Sequence, residues 1–342
     1  MFRIKPFQIS NLKSQILPLL LILSIPVNSR AQGAAARPAA DPNKYAVILS
    51  GASGDEEFAK RFKGWTEELR RALVERFGFD EARVTVLSES PEGARALKAT
   101  AEEVRRTFQT LRASAGPEST VFVFLIGHGT FDGRQAKFSL VGPDLTASEY
   151  AELLGGLSAR RVVVFNMASA SGEFIKPLSG RGRVVVTATR SGQEQNATRF
   201  PEHLIAALTS RDADADQNGR VSVLEAFDYA SRLTAEQYKR AGRLATEHAL
   251  LDDSGDGVGH PAAEGGDGAL ARSVYLDSLS TEQAAANAET GRLLRERERL
   301  EGEVEQLKAR KGFLAEADYE AELERIFVSL AKVNRSIKRG AP

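Results

Sequence analysis

The 342-residue sequence predicts an α/β protein: a three-layer, mostly parallel sheet with helices on both faces, followed by an α-helical hairpin. Three observations carry this. Short apolar runs alternate with amphipathic stretches at the spacing of βαβ units. The runs are continuous rather than alternating, as in strands buried on both faces. Each ends abruptly in glycine or small polar residues, which marks a strand delivering its turn to the edge of a sheet.

The elements follow in order. "YAVILSG" (Tyr45–Gly51) is the first strand, and a helix runs from Glu56 to Phe77. "ARVTVL" (Ala82–Leu87) is a second strand, and a helix from Thr100 to Arg112 leads into "TVFVFLIGHG" (Thr120–Gly129). A helix from Ala147 to Leu157 precedes "RRVVVFNMASASG" (Arg160–Gly172). "GRVVVTATR" (Gly182–Arg190) is a fifth strand, followed by a helix from Pro201 to Leu208. In such sheets functional groups gather at the carboxyl ends of the strands. Gly51, His128 and Ser169, each just past a strand end, are therefore expected on one edge.

The N-terminus reads differently. Arg3, Lys5 and Lys13 precede an apolar run, Ile16–Val27, and Ser29 and Ala31 occupy the small-residue positions of a cleavage site. Residues 1–31 are expected to be a secretory signal peptide cut after Ala31. The alternative, a membrane anchor, is disfavoured because the run is shorter than the ~20 residues that span a bilayer. It also contains Pro18 and Pro26. The mature chain is thus expected outside the cytoplasm, periplasmic or secreted, with no stable membrane span. It has no cysteine, so its core must hold it together. Residues 32–44 form an Ala/Pro-rich linker and residues 45–278 the α/β domain.

Residues 279–342 carry heptad spacing, with Leu293, Leu300 and Leu307 seven apart and Val304 between. After Gly312, Tyr319, Leu323, Ile326, Leu330, Val333 and Ile337 alternate by four and three. This is a helical hairpin or coiled coil, either packed on its own domain or pairing with a second copy. Lys+Arg and Asp+Glu both number 46, so nothing points to nucleic acid or a strongly charged partner.

"DADQNGRVSVLE" (Asp214–Glu225) follows the twelve-residue EF-hand loop. Asp214, Asp216 and Asn218 fall at positions one, three and five, and Gly219 at six. Arg220 offers its backbone carbonyl at seven, Ser222 stands at nine, and Glu225 is the bidentate twelfth ligand. Hard oxygen donors at this spacing suit calcium. "DDSGDG" (Asp252–Gly257) mimics the first half of such a loop without the late glutamate. It is expected to be a turn, with weak calcium binding left open.

"GHGT" holds His128 between two glycines, and "MASASG" holds Ser169. With "VILSGASG" and "VVVTATRSGQEQ", these stretches resemble the legumain and caspase clan of cysteine peptidases, over roughly residues 45–208. The resemblance implies a caspase-like sheet and a catalytic dyad at His128 and Ser169. The family has a cysteine where this chain has Ser169. A thiol has a pKa of about 8.5 and ionises in part near neutrality, whereas a hydroxyl needs a base that is itself oriented by a third group. The expectation is a pseudopeptidase that binds a peptide or protein partner. The alternatives are an active hydrolase using Ser169 and His128, and a calcium-dependent interaction module. His203, His248 and His260 are expected to be structural or exposed.

Overall fold

The computed structural model describes residues 40–342 apart from 94, 211, 217–219, 278–291, 294–295, 298, 301, 305–306, 308–310 and 341–342. The expected signal peptide, most of the linker, and Asn218 and Gly219 of the calcium loop therefore lie outside the described residues. No helix among those described is long and apolar enough to cross a membrane.

The α/β expectation holds. Seven strands form one sheet: β1 (Lys44–Ser50), β2 (Val84–Ser88), β3 (Leu97–Lys98), β4 (Thr120–Ile126), β8 (Arg161–Asn166), β9 (Arg183–Thr187) and β10 (Leu250–Asp252). Their spatial order is β10-β9-β8-β4-β1-β2-β3. All neighbours pair in parallel except β10, which runs antiparallel to β9. A second antiparallel sheet of β5 (Gly129–Phe131), β6 (Ala136–Phe138) and β7 (Leu145–Thr146) follows β4.

The pleat sends alternate side chains to two separate cores. Ala46 and Ile48 of β1 join Phe122 and Phe124 of β4 on one face. There they pack beneath α1 (Glu56–Arg71), α5 (Phe200–Thr209), α6 (Val223–Arg240) and α7 (Ala269–Ser273). Val47 and Leu49 join Val121 and Val123 on the other face, beneath α2 (Ala101–Ser114), α3 (Ala147–Gly155), α4 (Ile175–Leu178) and the small sheet. The central strands are buried on both sides, which is why they read as unbroken apolar runs.

Local chemistry sets the helix ends. Asp55 caps α1 by accepting from the Phe58 amide, and Thr100 caps α2. Thr146 and Glu149 form a reciprocal capping box at the start of α3. The helix expected to reach Phe77 leaves α-geometry after Arg71 and finishes in a π turn over Ala72–Arg76. Gly78 ends it at a φ of 68°, a conformation that favours glycine.

The N-terminus of α5 is capped from a distance. Glu247, only 4% exposed, accepts from the Arg199 and Phe200 amides and from the Tyr238 hydroxyl. Burial raises its carboxyl above the ordinary 4.5, against the opposing pull of those hydrogen bonds. A carboxyl raised in the fold contributes stability that is full below its unfolded pKa and is lost as pH rises through the folded value. The melting temperature of wild type relative to Glu247→Gln is therefore expected to fall as pH rises from about 4.5 towards neutrality. Parallel melting curves across that range would refute this account of Glu247.

Near the C-terminus, the described residues between 292 and 307 include helical ones, and α8 (Glu316–Gly340) follows. Leu300, Val304, Leu307 and Ile326 bury one another in a cluster of their own, with Leu323 and Leu330 packed against it. Arg325 of α8 approaches Glu303 at 3.7 Å.

Candidate functional site

The chain builds outward from β1 in one direction through β2 and β3, then returns to the other side of β1 for β4, β8 and β9. The carboxyl ends of β1 and β4 thus flank a topological switch point, where open α/β sheets form their crevice. Ser50 of β1 pairs with Ile126 of β4, so the turns after both strands leave side by side. Ser53 belongs to the first turn and His128 to the second. His128 Nε2 donates to the Ser53 carbonyl at 3.1 Å. The imidazole is wedged against Phe58 and Phe62 of α1, with ring centroids 4.6 and 5.2 Å away. Ser53 is held in turn by Glu89, which accepts from both its amide and its hydroxyl.

Ser169 lies past the end of β8 and is 3% exposed. Its hydroxyl donates to the Gly129 carbonyl at 3.0 Å and accepts from the Gly129 amide at 3.1 Å. The turn around it is tightly determined. Ala170 adopts a φ of 53°, costing about 1–2 kcal/mol for a residue with a Cβ, and its amide donates to the Glu194 carbonyl. The Ser171 hydroxyl accepts from the Ala188 and Thr189 amides beyond β9. Gly172 lies so close to residues 190–191 that a Cβ there would fall 2.3 Å from the Arg190 carbonyl carbon.

The expected dyad residues therefore share one edge, but each has another partner. His128 is bonded to Ser53, and Ser169 is bonded twice to Gly129. Ser171, Ala170 and Glu194, which lock the turn, were not picked out from the sequence; the run of small residues in "ASASG" was the one available sign. The other histidines are paired. His203 bonds Gln237, His248 meets Glu194 at 2.5 Å, and His260 meets Asp267 at 2.7 Å.

Beside His128 opens a groove of about 930 Å³ between α1 and the ends of β1 and β2. Ser53 and Phe62 line it where it adjoins the imidazole, Val84 and Val86 give it an apolar floor, and Lys63 and Arg70 stand among its charged lining residues. Its size is that of a ligand pocket.

At the opposite edge of the sheet lies the calcium loop. Asp214, Asp216 and Glu225 each bring a carboxylate oxygen within 4.8 Å of the others. Ser222 and Glu225 form a capping box that starts α6, so positions nine and twelve are fixed by the helix itself. Glu225 also reaches back to accept from the Ala215 and Asp216 amides, which closes the loop on itself. These hard oxygen donors fit calcium, and an ion there would supply charge neutralisation and loop rigidity. Arg220, whose carbonyl is the expected ligand at loop position seven, sends its side chain away to pair with Asp277 and stack on Tyr275 at 3.8 Å. A second hand is replaced by a bridge between Ser222 and Tyr275, with the Val223 amide donating to the Val274 carbonyl.

No protein-family model matches the chain, and no curated protein matches it. Among solved structures, the crystal structure of protein GSU0716 from Geobacter sulfurreducens, a structural-genomics target, is similar over 56% of this chain and 89% of its own. The two share 15% identity with a TM-score of 0.41, a likeness too slight to bear on function.

Proposed function

We infer that the chain is an extracytoplasmic, calcium-stabilised pseudopeptidase of legumain/caspase-like character, which binds a peptide or protein partner at the strand-end edge without cutting it. The observation that carries this reading is the bonding of Ser169. Its proton is given to the Gly129 carbonyl and its oxygen accepts from the Gly129 amide, and among the described residues no side-chain base takes that proton. An unactivated hydroxyl is a poor nucleophile. The groove beside His128 supports a binding role. The test is a fluorophosphonate probe on the full chain. No label is expected on Ser169, and Ser169→Ala is expected to lose roughly 1–3 kcal/mol of stability because Gly129 loses its partner. Labelling of Ser169 that disappears in His128→Ala would establish the serine-hydrolase alternative instead.

The interaction-module reading draws on the C-terminal arm. Phe327 and Val328 of α8 are 50% and 46% exposed, large apolar groups on a face turned away from the hairpin seam. A second copy of this chain is the proposed occupant. Glu320 and Glu324 lie on one side of this pair in the sequence and Lys332 and Arg335 on the other, so an antiparallel match brings opposite charges together. Light scattering is expected to give a dimer that becomes a monomer in Phe327→Glu. An unchanged mass in that variant would rule this contact out.

A further inference from the structure

The loop Asp252–Gly257, expected from sequence to be a turn, contains a buried acid that the fold leaves incomplete. Asp252 is 1% exposed, and its Oδ2 has no hydrogen-bond partner among the described residues. Nor does any described Lys, Arg or His form an ion pair with it. A buried carboxylate without a counter-charge or full hydrogen bonding costs several kcal/mol. The neighbouring acids show that the loop is otherwise well satisfied. Asp267 accepts from the Asp253 and Ser254 amides and from His260. Asp253 accepts from the Gly268 and Ala271 amides. Asp252 Oδ1 accepts from the Gly255 amide and the Ser254 hydroxyl, which places the whole carboxylate at the loop.

We propose that this loop is a second calcium site, distinct from Asp214–Glu225, with Asp252 Oδ2 as its buried ligand. The order Asp252-x-Ser254-x-Asp256-Gly257 puts oxygen side chains at positions one, three and five and glycine at six, as in the first half of a calcium loop. Gly257 has a φ of 79° and Gly255 one of 83°, so both sharp bends are already made. Ser254 and Asp256 are exposed, so an ion enters from solvent and meets Asp252 at the floor. The backbone carbonyl of Val258 takes the seventh position. The twelfth position is Ala263, which offers no ligand. Water completes the shell, and the affinity falls in the weak range of about 0.1–1 mM.

The site lies far from His128. Asp252 pairs with Val185 as β10 runs antiparallel to β9, and Gly255 packs on Gly180 just before β9 begins. The loop therefore sits at the amino-terminal edge of the parallel strands, and its ion acts on the fold rather than on the groove.

Calcium chloride titrated into the full chain by calorimetry tests this. Wild type is expected to bind two ions, one tightly and one weakly. Glu225→Gln retains the weak event. Asp252→Asn retains the tight event and loses the weak one. Asp256→Asn, a change at an exposed position that leaves the core untouched, weakens the second event at least tenfold. A single event in wild type that vanishes in Glu225→Gln overturns the proposal while leaving the first loop intact. A weak event that survives both Asp252→Asn and Asp256→Asn overturns it as well.

Discussion

Calcium at a hundredfold excess over its dissociation constant is expected to stabilise the full chain by about 2.7 kcal/mol, through binding only the folded state. For a domain of this size that is a rise of roughly 5–10 °C in melting temperature. A loop of roughly micromolar affinity, within the range of EF-hand sensors, reaches that excess by about 0.1 mM calcium, the lower bound of the range proposed for the Asp252 loop. Glu225→Gln should remove most of the rise. Glutamine's one acceptor oxygen still serves the capping box, so α6 keeps its start, but the Ala215 and Asp216 amides lose their acceptor; the comparison is therefore the calcium-induced rise within each protein. The stabilisation has a visible route through the fold. Ser222 is bridged to Tyr275, Arg220 pairs with Asp277, and Leu276 receives the Lys44 ammonium at the head of β1. Identical melting curves for wild type in calcium and in chelator would sink the calcium reading of Asp214–Glu225.

Gly172→Ala should be the most damaging single change at the candidate site. The new Cβ would lie 2.3 and 2.4 Å from the Arg190 carbonyl carbon and the Ser191 nitrogen. Both are backbone atoms, on a segment tied down by the Thr189 amide donating to Ser171 and the Arg190 amide donating to Glu194, and neither yields as a side chain does. Overpacking of this kind costs about 3 kcal/mol or more. The expected loss is roughly 6–12 °C in melting temperature. Gly64→Ala is the matched control. Gly64 lies within α1 with nothing near its missing Cβ, so alanine there should stabilise by about 0.5–1 kcal/mol. A Gly172→Ala protein that melts with wild type would mean that residues 190–191 move aside and that the turn is not rigid.

The contrast between strands explains what the sequence made visible. β1, β4 and β8 are six or seven residues long and buried on both faces, so burial writes itself into the chain as a continuous apolar run. β3, β5, β6, β7 and β10 are two or three residues long and carry too little pattern to separate from loop. The same limit applied to the site. Strand ends placed His128 and Ser169 on one edge, because that follows from topology. Whether Ser169 bonds an imidazole or a backbone carbonyl depends on where β5 starts, and β5 was invisible. The calcium loop was legible because its ligands are consecutive. Its partner, residues 274–275, lies some fifty positions away; the bridge is made by backbone and the one side-chain contact, Arg220 on Tyr275, follows no local spacing that would mark it in the sequence.

The bond from Lys44 to the Leu276 carbonyl joins groups 232 residues apart. It brings the first and last segments of the α/β unit together, so the unit cannot close until nearly all of it has been synthesised. Contacts of such long range carry a large loop-closure cost and form slowly. The Ser222–Tyr275 bridge depends on the same late segment. A growing chain that stops short of residue 274 can already hold the central parallel strands, yet it lacks the backbone that pairs with the Asp214–Glu225 loop. Full ordering of that loop thus falls among the last steps of folding, and ion uptake by a nascent or truncated chain would report whether its carboxyl-terminal segment has docked.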